Sequence, residues 1–164
     1  MPTLYDYLPS QNAWKVRVLL AHLGLEHRVV PVSIFEGEGR TSAFLAINPT
    51  GKVPALALDD GRTLGESSAI LAFLADGTRY LPTEPYARAR VHQWLAFEQE
   101  HVEPTIGSLR YWTMTGKLPR RSPELVEAKR AAATRALRIL DTVLEGQPFV
   151  AGDYTIADIA LFAY

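Results

Sequence analysis

Three short stretches of this 164-residue chain hold residue types that can do chemistry together. Ser10-Gln11-Asn12 follows an alternating run and opens an apolar helical stripe. A hydroxyl in that place can donate to an anion lying at the positive end of a helix. It can equally serve as a plain N-cap, the commonest role for a serine there. The second stretch, Asn48-Pro49-Thr50-Gly51-Lys52-Val53-Pro54-Ala55-Leu56, is a turn cluster leading into a strand. The third, Leu64-Gly65-Glu66-Ser67-Ser68-Ala69-Ile70, sets an acid and a hydroxyl at the opening of a helix. Backbone N–H groups at such a start suit an anion, and an acid is also favoured in an ordinary first turn. The chain has no cysteine, which removes disulfides, thiolate zinc sites and any protein thiol nucleophile. Its four histidines are scattered without metal-ligand spacing, so no metal is expected.

The elements that must position these residues change character near residue 80. Thr3 to Tyr7 alternates as a short strand, and Ala13 to Leu23 carries Val16, Leu19, Leu20 and Leu23 on one helical face before Gly24. His27 to Val32 reads as a second strand, Glu36 to Arg40 as a charged loop, and Thr41 to Ile47 as a short helix. Val53 to Leu58 and Arg62 to Leu64 flank Asp59-Asp60-Gly61 as a hairpin, and Glu66 to Asp76 is helical again. This β-α-β-α-β-β-α order predicts a parallel pair of strands with an antiparallel edge.

Residues 78–85, with Pro82 and Pro85, read as a linker between a small α/β domain at 1–77 and an all-helical domain at 86–164. The spacing predicts a helix from Tyr86 to Glu103, kinked or interrupted at Pro104, with a second segment to about Thr115. Glu124 to Glu145 reads as a long amphipathic helix carrying Leu137, Leu140 and Leu144, and Thr155-Ile156-Ala157-Asp158 has the form of a capping box. The final apolar helix stops without a cap, so the helical domain is expected to be incomplete.

Charge is balanced throughout. Residues 1–80 carry 7 basic and 8 acidic side chains, and residues 81–164 carry 10 of each. Neither half has the footprint of a nucleic-acid or anionic-membrane binder, and no apolar run approaches the ~18–20 residues of a bilayer span. Pro2-Thr3-Leu4-Tyr5-Asp6 has no secretory-leader pattern, so the expectation is a cytoplasmic protein.

Taken in order, the three stretches and Thr155-Ile156-Ala157-Asp158-Ile159-Ala160 resemble the cytosolic glutathione S-transferases. That resemblance implies a thioredoxin-like glutathione-binding domain followed by a helical domain, and a homodimer. It implies that glutathione is the co-substrate and that a small electrophile, peroxide or disulfide is its reaction partner. Ser10-Gln11-Asn12-Ala13-Trp14-Lys15-Val16 is similar both to the zeta-class Ser-Ser-Cys pattern and to the nu-class Thr-Pro-Asn-Gly-Trp-Lys-Val pattern. The zeta-type cysteine is replaced here by Asn12, and omega- or beta-type chemistry through a protein cysteine is closed.

By that resemblance Ser10 stabilises the glutathione thiolate and Asn12 assists, or Asn12 is the group facing the sulfur. Lowering a thiol pKa by ~2 units needs about 2.7 kcal/mol of preferential thiolate stabilisation. A hydroxyl donor backed by a helix N-terminus is suited to supply it. Val53-Pro54 becomes a cis-proline corner whose backbone pairs with the cysteinyl residue. Glu66 and Ser67 hold the γ-glutamyl ammonium and carboxylate, while Gln11, Arg40 and Lys52 complete the glutathione contacts. Tyr7, Arg110 and Tyr111 are implied for the second-substrate pocket, although aromatic residues at such spacing also serve as core. The alternative is a non-catalytic module of the same architecture, used for binding or assembly.

Overall fold

A computed structural model describes residues 1–164. It divides into two compact units, Met1–Leu81 and Pro82–Phe162, with Tyr164 counted in the second. In the first unit the order is β1 (Thr3–Asp6), α1 (Gln11–Leu23), β2 (Arg28–Pro31), two 3₁₀ turns (Ile34–Glu36 and Glu38–Arg40), α2 (Ser42–Leu45), β3 (Ala55–Ala57), β4 (Thr63–Leu64) and α3 (Ser67–Ala75). The sheet order is β2-β1-β3-β4. β1 and β2 are parallel, and the β1–β3 and β3–β4 pairs are antiparallel.

Alternation along β1 builds two cores. Leu4 faces α1 and α3 and joins Val16, Leu20, Leu56 and Ile70, all fully buried. Tyr5 turns to the other face, where Val32, Phe44, Val53 and Ala55 pack, and its ring lies 5.8 Å from that of Phe44. Helix α1 begins at the N-cap Ser10 and ends at Gly24, whose φ of 62° is the left-handed conformation that lets its N–H reach back into the last turn. A partly buried ion pair fixes the approach to α1. Arg17 Nη1 donates to both Asp6 oxygens at 2.6 and 2.7 Å, and Nη2 donates to the Leu8 carbonyl at 3.0 Å. The guanidinium thereby ties the end of β1 and the following loop to the helix that Ser10 caps.

The second unit contains only helices. α4 (Pro85–Phe97) is capped by Glu84, whose carboxylate accepts from the Tyr86 and Ala87 amides at 2.9 and 2.7 Å. At Pro104, where a kink or an interruption is expected, the chain is not interrupted but changes its winding. The helix continues in π-helical form over Glu98–Gly107 and then as α5 (Ser108–Met114). The Ser108 N–H reaches the Glu103 carbonyl five residues back, so the wider turn absorbs the donor that proline lacks. The Pro104 carbonyl accepts from Lys129 Nζ.

α6 (Pro123–Leu144) departs from its predicted apolar stripe as well. Its buried residues are Ala133 and Ala136, whereas Leu137 is 50% exposed and Leu144 42% exposed. Small side chains form the seam because α6 packs closely against the π-helical stretch. A short turn leads to α7 (Ile156–Phe162). There Asp158 accepts from the amides of Thr155 (2.8 Å) and Val150 (3.0 Å), as a capping role requires. No helix is long and apolar enough to cross a membrane.

Candidate functional site

Strand pairing brings the three motif stretches to one end of the sheet. Tyr5 pairs with Ala55, so the chain leaving β1 toward Ser10 and the chain entering β3 through Val53-Pro54 share an edge. Leu56 pairs with Leu64, so Gly65 and Glu66 leave β4 at that same edge. The N-termini of α1 and α3 follow directly, and the two helices pack against each other.

Ser10 is both a cap and an available donor. Its Oγ accepts from the Ala13 amide at 3.3 Å. A hydroxyl has two lone pairs and one proton, so accepting at the cap leaves the proton for a partner at the helix start. Asn12, the second residue of α1, receives two donors on Oδ1: Lys15 Nζ at 2.7 Å and Ser67 Oγ at 3.2 Å. The second bond links the start of α1 to the start of α3. Ser67 is 5% exposed, and its proton points to Asn12. Gln11 occupies the first helical position and is half-buried.

The Val53–Pro54 peptide is cis, and both residues are buried. Asn48, which the sequence reading passed over as part of a turn, organises the approach to it. Its Nδ2 donates to the Lys52 carbonyl at 2.7 Å, and its Oδ1 accepts from the Thr50 amide and hydroxyl. A Cβ on Gly65 would stand 3.0 Å from Asn48 Oδ1, so the absence of a side chain lets the strand before Glu66 approach this turn. The available signal was an Asn opening an Asx-type turn.

Glu66 has φ 60° and ψ 117° and is the one non-glycine residue with a positive φ. Such strain clusters at ligand sites, where the surrounding structure holds it in place. Its side chain is exposed beside the buried Ser67. Ser68 Oγ is buried with no hydrogen-bond partner. Arg40 and Lys52 lie exposed around the turn, and Arg40 Nη1 reaches the Thr50 carbonyl at 3.4 Å.

The remaining candidates are placed within their own units. Tyr7 is half-buried in the first unit with its ring edge-on to Phe35 at 5.2 Å. Arg110 and Tyr111 lie on α5 of the second unit. The Tyr111 hydroxyl accepts from Lys117, whose ammonium stands 4.6 Å from the ring centre. No cluster of three or more His, Asp or Glu side chains converges on a point where a metal would sit.

The arrangement therefore offers a donor at the positive end of one helix, a buried hydroxyl and backbone amides at a second, and an extended backbone edge between them. A sequence profile described as "Glutathione S-transferase, N-terminal domain" matches residues 9–76, the span that holds all three. The disulfide-bond oxidoreductase YfcG of Escherichia coli is 30% identical over 96% of this chain and 76% of its own. The chain belongs to the glutathione S-transferase family. A glutathione S-transferase from Pseudomonas fluorescens superposes with a TM-score of 0.96 at 41% identity, covering 99% of this chain and 82% of that one. A second family member from that organism, solved with two glutathione molecules bound, superposes with a TM-score of 0.87 at 32% identity over 99% and 74%. The four-stranded sheet with its helices, followed by a helical unit, is the architecture of this family.

Proposed function

We propose that this transferase-family chain activates glutathione as a thiolate and directs it onto a small electrophile. The observation that carries the reading is Ser10, which caps α1 through a lone pair and keeps its proton for the sulfur. A glutathione thiol ionises near the range of free cysteine, so only a few per cent is thiolate at neutral pH. The Ser10 hydroxyl and the α1 N-terminus stabilise the anion, and the Asn12 amide adds a further donor. The proton leaves to solvent, and the sulfur lone pair forms a new S–C bond while the electrophile's carbon–leaving-group bond breaks and its electron pair departs with the leaving group. Val53 and Pro54 hold the peptide backbone in the manner of an added strand. Glu66 takes the γ-glutamyl ammonium, and the N-terminus of α3 takes the carboxylate. Gln11, Arg40 and Lys52 complete the glutathione contacts, and Tyr7 meets the electrophile.

Likeness to a disulfide-bond oxidoreductase favours a second reading of the same thiolate. Attack on a disulfide sulfur forms a mixed disulfide and releases one thiolate. A second glutathione then resolves it, leaving two thiols and glutathione disulfide. With no cysteine in the chain, both thiols come from glutathione.

Conjugation assays on Ser10→Ala, Asn12→Ala and the double variant test the mechanism. A charge-assisted hydrogen bond contributes about 1.5–3 kcal/mol, so each single variant is expected to lose about 10- to 100-fold in kcat/KM. Wild-type turnover in all three overturns it.

A further inference from the structure

The site contains a buried lysine that the proposed mechanism does not use. Lys15 is 0% exposed, the largest fully buried side chain in the protein, and it sits three residues after Asn12 on α1. Its Nζ donates to Asn12 Oδ1 at 2.7 Å, and Ser67 Oγ donates to the same oxygen at 3.2 Å. An amide oxygen accepts two hydrogen bonds, so both positions are filled. Rotating the amide by half a turn would set its NH₂ against the Lys15 Nζ donor, donor against donor. Lys15 thus decides which end of Asn12 faces away from it, and that end carries the two N–H donors.

We propose that Lys15 is a positioning residue, which locks the Asn12 amide with its donor end turned to the sulfur of bound glutathione. The role rests on the transferase reading and deepens it. The Ser67 proton is directed to the same Asn12 oxygen. Ser67 Oγ therefore offers a lone pair to the γ-glutamyl ammonium, and the α3 backbone amides are left to take the carboxylate. The Ser67 bond to Asn12 does not require Lys15, so loss of Lys15 is read at the sulfur and not at the γ-glutamyl end.

Thiolate absorbance of the enzyme–glutathione complex, titrated against pH, tests the role, with S-methylglutathione binding as a readout of the peptide site alone. Lys15→Met keeps the stem and removes the donor. It is expected to raise the bound thiol pKa by about one unit, a tenfold loss of thiolate, while S-methylglutathione affinity stays within about twofold. Added to Asn12→Ala, it is expected to shift the pKa no further, because it acts through that amide. Lys15→Gln retains an N–H donor and is expected to restore most of the wild-type value. A wild-type thiol pKa in Lys15→Met, or a shift that adds in full to that of Asn12→Ala, overturns the proposal. Should Lys15→Met fail to fold, Lys15→Gln decides: a pKa near wild type supports the role, and one as high as that of Asn12→Ala overturns it. A wild-type protein that binds no S-methylglutathione and forms no thiolate refutes the transferase reading itself, separately from Lys15.

Discussion

Ser67 and Ser68 are adjacent and chemically identical, yet their surroundings give them opposite roles. Ser67 Oγ is bonded to Asn12 across the junction of two helices, whereas Ser68 Oγ is buried without a partner. An unmade hydrogen bond costs its full desolvation, so removing the Ser68 hydroxyl relieves a penalty, whereas removing that of Ser67 breaks a contact. Ser67→Ala is expected to raise the glutathione KM about tenfold, equivalent to ~1.4 kcal/mol. Ser68→Ala is expected to leave KM unchanged and the melting temperature equal or higher. Steady-state kinetics and thermal denaturation on the pair check both statements, and a larger kinetic defect in Ser68→Ala would contradict them.

Helix ends in this protein are held by specific side chains, and the cap of α4 makes its contribution depend on pH. The Tyr86 and Ala87 amides hold the Glu84 carboxyl below its ordinary value. A depressed folded-state pKa means stability that is present above the unfolded value and lost as pH falls through the folded one. Glu84→Ala is therefore expected to melt below wild type at neutral pH. The gap should close on acidification past the depressed carboxyl value, where protonated Glu84 caps no better than a neutral residue. Melting curves of both proteins across that range provide the check, and a gap independent of pH would assign the loss to something other than the charged cap. Elsewhere, π-helical winding carries the chain through Pro104, and Ala133 and Ala136 set the close approach of α6. Neither follows from reading leucine spacing alone.

Across the whole molecule, the geometry of the candidate site depends on a core that joins the sheet to two helices. Leu4, Val16, Leu20, Leu56 and Ile70 draw residues from β1, α1, β3 and α3 into one buried cluster. The same α1 and α3 begin at Ser10-Gln11-Asn12 and at Glu66-Ser67. Ile70→Ala is expected to destabilise the protein by about 2–5 kcal/mol, read from the denaturant midpoint. A loss under about 1 kcal/mol would show that the cluster relaxes around the cavity and does not hold the helix starts.

Much of this organisation is local and therefore readable along the chain. The β-α-β-α-β-β-α order follows from hydrophobic period and turn residues such as Gly24 and Asp59-Asp60-Gly61, because periodicity depends on which face each residue turns to the core. Ser10, Val53, Pro54, Glu66 and Ser67 were legible because each stands where an element begins or a turn closes. Tertiary structure decided what requires distance in sequence to vanish. Strand register brings residues 10, 54 and 66 to one edge of the sheet, since antiparallel pairing at Ala55 and Leu64 sends all three segments the same way. Asn48 gained its role only when Gly65 came against it. Lys15, which reads as an ordinary polar residue on an amphipathic helix, became a fully buried donor to Asn12. A hydrogen bond to Ser67, fifty-five residues away, is set by how two helices pack and not by the local preference of either.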